Sequence, residues 1–248
     1  MTADERLVRA GALYLVSTPI GNLADITLRA IAVLKQVDLI AAEDTRNSRI
    51  LLQHYGITTA VTSYHDFNEA RSAPALIEKL AQGLAIALIT DAGTPGISDP
   101  AYYLVRQALD RHIPVQAIPG ATALIPALVL SGLPCERFVF EGFLPAKKGR
   151  QKRLEQLADE PRTMIFYESP HRLLRTLADL HRACGDRPAA VLRELTKKFE
   201  QVVRGHLAEL LERAAAIPLK GEFVIVVEGQ NRRWTKLASA AGEADIEV

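Results

Sequence analysis

The chain is poor in the residues and segments that mark several common classes of protein. Its 248 residues include two cysteines, one tryptophan and two methionines. Cys135 and Cys184 are far apart in the sequence, match no zinc spacing and do not indicate a disulfide framework. The longest apolar stretch, residues 121–130, is shorter than the roughly 20 residues of a membrane-spanning helix, and the charged first ten residues do not resemble a signal peptide. We therefore expect a cytoplasmic protein.

Most standard catalytic signatures are also missing. The sequence has no GxGxxG fingerprint, no P-loop, no HExxH, no CxxC, no EF-hand loop and no GxSxG elbow. These absences argue against the usual dinucleotide and nucleoside triphosphate sites, and we expect no protein-bound catalytic metal. The composition, 48% hydrophobic and 24% charged, is that of an ordinary globular protein and excludes a disordered or collagen-like chain.

Charge is balanced overall but unevenly distributed. The formal net charge is +1, so no global field favours a nucleic acid or a membrane. Residues 137–213, however, carry 16 basic and 11 acidic side chains, whereas residues 1–136 carry 10 and 13. The later segment is therefore the candidate surface for an anionic partner.

The first half alternates short apolar runs with helical patterns, which predicts an open, mainly parallel α/β sheet. The run AIALIT is apolar without alternation, as expected for a strand covered on both faces. Thr45 is the predicted N-cap of the second helix. The predicted strands are 13–17, 38–42, 61–64, 85–90 and 115–118, and the predicted helices are 25–34, 45–52, 68–80 and 101–109.

A turn-rich break at Ser131-Gly132-Leu133-Pro134 indicates a domain boundary. We predict an N-terminal α/β domain at 1–130, a C-terminal α/β domain at 131–229 and a flexible tail at 230–248. Two consecutive strands before the last helix predict a mixed second sheet. Its predicted strands are 138–143, 164–167, 189–193, 200–204 and 223–228, and its helices are 151–158, 171–183 and 207–215.

The strongest candidate for a binding loop is TDAGTPGISDP at residues 90–100, directly after an apolar strand. Gly93 and Gly96 permit close approach of the backbone to a ligand, and Asp91 offers a hydrogen-bond acceptor. The alternative is a tight connection with no ligand. Residues 17–23 and 118–123 end two further strands and are also rich in small residues, so three such loops on one edge predict a pocket.

Together these segments resemble the tetrapyrrole methylase superfamily, and most closely its ribosomal small-subunit methyltransferase I group. The resemblance extends over residues 11–229. Its motifs are LYLVSTPIGNLADIT (13–27), AAEDTRNSRILL (41–52), SYHDFNE (63–69), TDAGTPGISDP (90–100), IPGATA (118–123), FEGFLPAKKGR (140–150), FYESPHRL (166–173), RELTKKFE (193–200) and KGEFVIVVEG (220–229).

The resemblance implies two α/β domains with S-adenosylmethionine in the cleft between them and 2′-O-methylation of a cytidine in 16S rRNA. It also implies a homodimer that acts on 16S rRNA or the small ribosomal subunit and requires no membrane. The implied cofactor contacts are Pro19, Asp91, Gly93, Thr94, Thr122, Ala123, Phe166 and Phe223.

The acidic pair Glu43-Asp44 follows the second predicted strand and is the candidate general base for a ribose hydroxyl. The alternative is a charge that stabilises the start of the following helix. His65 and Asp66 form a second candidate pair. Positioning of the reactants without a dedicated base is a further possibility.

The run 147–153 places five cations in seven residues, and it is the candidate RNA-binding surface. The alternative is a solvated helix start, although cations at a helix N-terminus oppose the helix dipole. Two rival functions remain open: methylation of a small tetrapyrrole precursor, and a non-catalytic RNA-binding factor in ribosome assembly. The RNA-binding candidates are Lys147, Lys148, Arg150, Lys152 and Arg153.

Overall fold

The computed structural model describes residues 7–214 and 218–230, and the chain divides into two compact units. The first unit ends at Thr122 and the second begins at Ala123. This division precedes the predicted boundary after residue 130, because the helix Leu124–Ser131 packs against strands of the second unit. The predicted tail at 230–248 lies outside the described residues except for Gln230.

The first unit contains a five-stranded parallel sheet, as predicted, in the order β3-β2-β4-β1-β5. The two central strands β2 and β4 are buried at every position, which explains their uninterrupted apolar sequences. The strands are β1 (Leu13–Val16), β2 (Leu39–Ala42), β3 (Val61–Ser63), β4 (Ile86–Ile89) and β5 (Val115–Ile118). The helices are α1 (Leu28–Gln36), α2 (Thr45–His54), α3 (Glu69–Ala81) and α4 (Tyr102–Asp110).

Helices cover both faces of this sheet and form two separate apolar clusters. Buried residues of α1 and α2, such as Val33 and Leu51, pack on one face. Buried residues of α3 and α4, such as Ile77 and Leu104, pack on the other. The connections that follow β1 and β4 therefore leave the sheet toward opposite faces.

The start of α2 differs from the prediction by one residue. Asp44, not Thr45, is the N-cap, because its carboxylate accepts a hydrogen bond from the backbone N–H of Arg46 at 2.8 Å. The Arg46 guanidinium also pairs with this carboxylate at 2.6 Å. Asp44 therefore stabilises the start of a helix, which is the role that the sequence analysis gave as the alternative to a general base.

The second unit contains a mixed five-stranded sheet in the order β6-β7-β10-β8-β9, which confirms the prediction. The β6–β7 pair is parallel and the other pairs are antiparallel. Its strands are β6 (Phe138–Phe143), β7 (Thr163–Glu168), β8 (Pro188–Arg193), β9 (Gln201–His206) and β10 (Phe223–Val227). Its helices are α5 (Leu124–Ser131), α6 (Arg150–Leu157), α7 (Leu173–Cys184) and α8 (Leu207–Ala214).

The helix α5 was not predicted from the sequence. Its residues are almost all apolar, so the stretch lacks the periodic pattern of an amphipathic helix. Pro126 is its third residue, where a missing N–H costs no intrahelical hydrogen bond. Within the described ranges, no helix has the length and apolar character needed to cross a bilayer.

Candidate active site

The candidate site of the first unit lies beyond the carboxyl ends of β1 and β4. These strands are neighbours in the sheet, and their following connections diverge toward opposite faces. Such a divergence opens a crevice at the end of a parallel sheet, which is where α/β proteins of this type bind ligands. The glycine-rich segment 90–100 follows β4 and the segment 17–23 follows β1, as the sequence predicts.

Backbone hydrogen bonds tie these two loops together. The Thr18 N–H donates to the Gly93 carbonyl at 2.8 Å, and the Gly93 N–H donates to the Thr18 carbonyl at 3.0 Å. The Thr18 hydroxyl also donates to the Thr90 carbonyl at 3.1 Å. Gly93 has φ +89°, a conformation that favours glycine. Pro19, a predicted cofactor contact, is buried beside this bridge.

The Thr94 side chain connects the loop after β4 to the other two loops. Its hydroxyl donates to the Ala121 carbonyl at 3.1 Å and lies 2.9 Å from the Ser17 hydroxyl. Gly120 lies so close to Ser17 that an added Cβ would be only 2.9 Å from the Ser17 Cβ. The three predicted loops therefore form one connected rim. Thr122, which is half-buried, follows Ala121 directly.

Asp91 links this rim to the end of β2. Its carboxylate accepts hydrogen bonds from the Asp44 backbone N–H at 3.1 Å and from the Asn47 side-chain amide at 2.8 Å. In return, the Asp91 backbone N–H donates to the Glu43 carboxylate at 3.2 Å. The structure thus brings the predicted cofactor residue Asp91 together with both members of the predicted acidic pair.

The carboxyl groups at this edge differ strongly in their pKa values. Burial raises the pKa of Asp99 to about 7, and the negative charges of Glu43 and Asp91 add to the shift. Burial also raises the pKa of Glu43 above its ordinary value, although the N–H of Asp91 opposes this shift. In contrast, hydrogen bonds from Arg46 lower the pKa of Asp44 to about 2.

Asp99 is a functional candidate that sequence reasoning missed. Its segment, 90–100, was recognised, but Asp99 was not distinguished from the other polar residues of that loop. Its pKa depends on burial and on Glu43, which lies far away in the sequence and close in the fold. The sequence offered one signal, namely a carboxyl group just before Pro100 in a loop already selected as a binding loop.

The second predicted pair, His65 and Asp66, also lies at this edge of the sheet. It follows β3, and the charge of Asp66 contributes to the raised pKa values of Glu43 and Asp99. The Nδ1 atom of His65 is buried and has no hydrogen-bond partner within the described part of the chain. Among the described residues, no group of three or more His, Cys, Asp and Glu side chains is placed to hold a metal ion.

The remaining predicted cofactor residues belong to the second unit. Phe166 on β7 and Phe223 on β10 are fully buried in its apolar core. They belong to the same apolar cluster as Leu177 and Leu207. Ala123 is the residue before α5 and is half-buried.

The predicted RNA-binding run is divided between exposed and buried cations. Lys147, Lys148 and Lys152 are exposed. Arg153 is partly exposed and makes two hydrogen bonds of 2.7 Å to the Glu141 carboxylate. Arg150, in contrast, is buried and is not part of this exposed surface.

Arg150 is a structural residue of the second unit. Its guanidinium donates to the Asp179 carboxylate at 2.8 Å and to the Thr176 hydroxyl at 2.8 Å, both on α7. A third hydrogen bond goes to the Pro145 carbonyl. The side chain is only 5% exposed, so its charge is neutralised inside the protein and does not reach a phosphate.

Comparison with known proteins agrees with this architecture. The model of the family Tetrapyrrole (Corrin/Porphyrin) Methylases matches residues 12–211. Diphthine synthase has a TM-score of 0.71 at 15% identity, covering 88% of this chain and 90% of that chain. Uroporphyrin-III C-methyltransferase from Thermus thermophilus, complexed with S-adenosyl homocysteine, has a TM-score of 0.62 at 19% identity, covering 88% and 97%. These two structures share the fold.

Curated relatives are more similar in sequence. Ribosomal RNA small subunit methyltransferase I of Pasteurella multocida is 53% identical over 229 residues, which cover 91% of this chain and 82% of the relative. The protein of the same name from Synechocystis is 54% identical over 221 residues, covering 88% and 79%. These relatives confirm the resemblance predicted from the sequence motifs, and the chain belongs to the tetrapyrrole methylase family.

Proposed function

We propose that the chain transfers the methyl group of S-adenosylmethionine to the 2′-hydroxyl of a cytidine in 16S rRNA. The main structural support for this proposal is the connected rim of three loops at the ends of β1, β4 and β5. The Thr18–Gly93 bridge and the Thr94 hydroxyl join these loops. Relatives that are more than half identical over nine-tenths of the chain are named as methyltransferases of small-subunit rRNA.

The residues of this rim fit the chemistry of the cofactor. S-adenosylmethionine carries a positively charged sulfonium and supplies an electrophilic methyl group. The carboxylates of Glu43 and Asp91 offer acceptors for its amino and hydroxyl groups, and their negative charge complements the sulfonium. The proposed contacts from the first unit are Pro19, Asp91, Gly93, Thr94 and Thr122. The contacts that the family resemblance implies for Ala123, Phe166 and Phe223 remain predictions.

Attack by a ribose hydroxyl releases a proton, and we assign its uptake to Asp99 with Glu43 beside it. A general base works best when its pKa is near the working pH, and the Asp99 pKa of about 7 meets this requirement. Asp44 is a poor base because its pKa is about 2 and its carboxylate caps α2. Glu43 therefore remains a candidate from the predicted acidic pair, and Asp44 becomes a positioning residue.

The RNA surface is assigned to the exposed lysines of the second unit. Lys147, Lys148 and Lys152 are exposed near the start of α6. A phosphate backbone at this position also meets the favourable end of the helix dipole. The homodimer and the cytoplasmic location expected from the sequence remain predictions.

The test is methylation of 16S rRNA by the purified protein. The protein is incubated with methyl-labelled S-adenosylmethionine and either naked 16S rRNA or small ribosomal subunits, and the RNA is digested to nucleosides for mass spectrometry. The expected product is 2′-O-methylcytidine. Label on a base would contradict the ribose assignment. In a parallel incubation with a tetrapyrrole precursor in place of RNA, label on the precursor with none on either RNA would favour the first rival. Calorimetry with S-adenosylmethionine completes the test, and cofactor binding too weak to measure would favour the non-catalytic factor.

A further inference from the structure

A cavity of about 510 Å³ lies in the second unit between β6 and α6. Its volume is in the range of sites that hold a small molecule or one nucleotide. Phe140 and Phe143 of β6 line one side, whereas Lys152 and Arg153 of α6 line another. None of the residues assigned above to the cofactor lines this cavity.

A β-bulge places the two phenylalanines on the same side of β6. Phe140 pairs with Ile165, but Gly142 pairs with Phe166, so one additional residue is inserted between them. In a regular strand, residues three apart point to opposite faces, and the insertion reverses this alternation. Both rings consequently contact Tyr167, with centroid distances of 4.9 Å and 5.8 Å.

Gly142 makes this bulge possible. It has φ +59°, in the left-handed region that glycine occupies without a steric penalty. The inserted residue is Glu141, whose carboxylate lies in the cavity wall and holds the Arg153 guanidinium through two hydrogen bonds of 2.7 Å. The ion pair holds both polar side chains together in the lining of the cavity.

The charge of the cavity rim is positive. The Glu141–Arg153 pair is neutral as a whole, so Lys152 contributes a net charge, and Lys147 and Lys148 lie in the turn just before α6. Gly149 precedes the helix and supplies no capping side chain, so the first backbone N–H groups of α6 lack a side-chain acceptor. An aromatic wall beside exposed cations is the combination that binds single-stranded nucleic acid.

We propose that this cavity binds one unpaired nucleotide of the RNA substrate, with its base against Phe143 and its phosphate at Lys152. Phe143 is 53% exposed, so much of this residue is accessible to a base, and its ring contacts that of Tyr167 in an edge-on arrangement. The Glu141–Arg153 pair presents acceptors and donors to the edge of the base. The proposed ligand is an unpaired nucleotide because the bases of duplex RNA are stacked and do not expose their faces. The inference rests on the proposed RNA substrate.

The test measures RNA affinity without a methyl donor. A fluorescein-labelled single-stranded RNA of about 12 nucleotides, long enough to span a typical single-strand site, is titrated with the protein and followed by anisotropy. The variants are Phe143→Ala, Phe143→Trp and Lys152→Ala. The matched control is Phe199→Ala, because Phe199 is another exposed phenylalanine of the same unit and lies outside the cavity. Thermal unfolding and S-adenosyl homocysteine binding verify the fold of each variant.

We expect Phe143→Ala to weaken binding about tenfold and Phe143→Trp to retain most of it, since stacking tolerates any aromatic ring. Lys152→Ala should reduce the slope of log affinity against log salt by about 0.7, the value for one single-strand phosphate. The protein without substitutions, here called the parent, should bind this RNA more weakly when the RNA is in a duplex.

Equal affinity of Phe143→Ala, Phe199→Ala and the parent, all of them folded, would overturn the proposal. Failure of the proposed function has a different signature. If 16S rRNA is methylated normally by Phe143→Ala with an unchanged KM for RNA, the methyltransferase assignment stands and the cavity assignment falls. If the variants lose single-strand binding but the parent methylates no RNA, the cavity assignment stands and the methylation assignment falls.

Discussion

Thr18 and Gly93 exchange both of their backbone hydrogen bonds although 75 residues separate them in the sequence. This pair joins the loops after two neighbouring strands, and it forms where the strand connections diverge toward opposite faces. The edge of the sheet is thereby fixed before any ligand arrives. Pre-organisation of this kind reduces the entropy lost on binding, which explains why a site can be built from short loops of small residues.

The first prediction concerns Gly93→Ala. The left-handed backbone at φ +89° strains any residue with a Cβ, so we expect a loss of about 1 kcal/mol in the free energy of unfolding and a cofactor affinity lowered about tenfold. Calorimetry with S-adenosylmethionine and urea denaturation measure the two effects.

The matched control for this variant is Gly83→Ala. Gly83 also has a positive φ, +97°, with open space around its Cβ position, and it lies in the turn between α3 and β4 away from the rim. It should lose comparable stability and keep its cofactor affinity. If both variants bind the cofactor as well as the parent does, the bridge has no role in the site.

The second prediction concerns the proton acceptor. With a pKa of about 7, Asp99 ionises near neutral pH, so kcat/KM should rise with pH and level off above pH 7. Asp99→Asn should lower kcat at pH 8 by about a hundredfold while cofactor affinity stays close to that of the parent. The control is Asp110→Asn, which removes an exposed carboxylate at the end of α4. A parent-like rate in Asp99→Asn would favour positioning without a base.

Asp99 also makes stability depend on pH in a defined direction. Its pKa in the folded protein lies above the ordinary value of 3.8, so the folded state binds the proton more tightly than the unfolded state. The resulting stabilisation is complete below pH 3.8 and is lost as pH rises to about 7. The free energy of unfolding of the parent should therefore fall relative to that of Asp99→Asn across this interval.

The sequence predicted the elements of the fold well because their signals are local. Apolar runs without alternation placed the central strands, and β5 and β6 begin and end at the predicted residues. The exception, α5, is apolar around its whole circumference and therefore has no period to detect. The Asp44 cap was displaced by one residue because Asp and Thr are both good N-caps.

The sequence predicted the three loops of the site, but their electrostatic properties depend on distant residues. Asp99 has a raised pKa because the fold partly buries it near the charge of Glu43, and Arg150 is withdrawn from the surface because it pairs with Asp179 on α7. Neither neighbour is near in the sequence. Likewise, a bulge in β6 places Phe140 and Phe143 on the same side of the strand. The regular alternation of a strand would have predicted opposite sides for these two residues.

The third prediction concerns Asp44. Asp44→Ala should lower the free energy of unfolding through loss of the α2 cap, whereas Asp44→Asn should lower it less because an amide oxygen also accepts the Arg46 N–H. Both variants should keep the pH profile of the parent, since Asp44 is ionised throughout the working range. A profile that flattens in Asp44→Asn would return the role of base to Asp44.

The fourth prediction separates Arg150 from the RNA surface. Arg150→Ala leaves the Asp179 carboxylate buried without its main partner, so we expect a loss of about 3 kcal/mol in urea denaturation. Arg175→Ala is the control, because Arg175 is exposed and approaches the same carboxylate only to 3.8 Å; its loss should be below about 1 kcal/mol. Equal stability of the two variants would contradict the structural role.

The pairing of Asp179 with Arg150 also makes the free energy of unfolding depend on pH in the acid range. Burial opposes its ionisation, but the hydrogen bond and charge of Arg150 and the charge of Arg182 outweigh burial and lower its pKa. The stabilisation from this lowered pKa is present above the ordinary value of 3.8 and is lost as pH falls below it. Arg150→Ala should therefore reduce the difference in stability between pH 6 and pH 3.

The last prediction concerns the exposed lysines before α6. Lys147→Ala combined with Lys148→Ala removes two solvated charges, so the slope of log RNA affinity against log salt should decrease by about 1.4, at 0.7 per single-strand phosphate. Cofactor affinity and the free energy of unfolding should stay unchanged, because neither side chain is buried. Lys35→Ala combined with Lys79→Ala removes the same charge from exposed helix positions of the first unit and should leave the slope as it is. Equal slopes for the two double variants would show that net charge, rather than this surface, governs RNA binding.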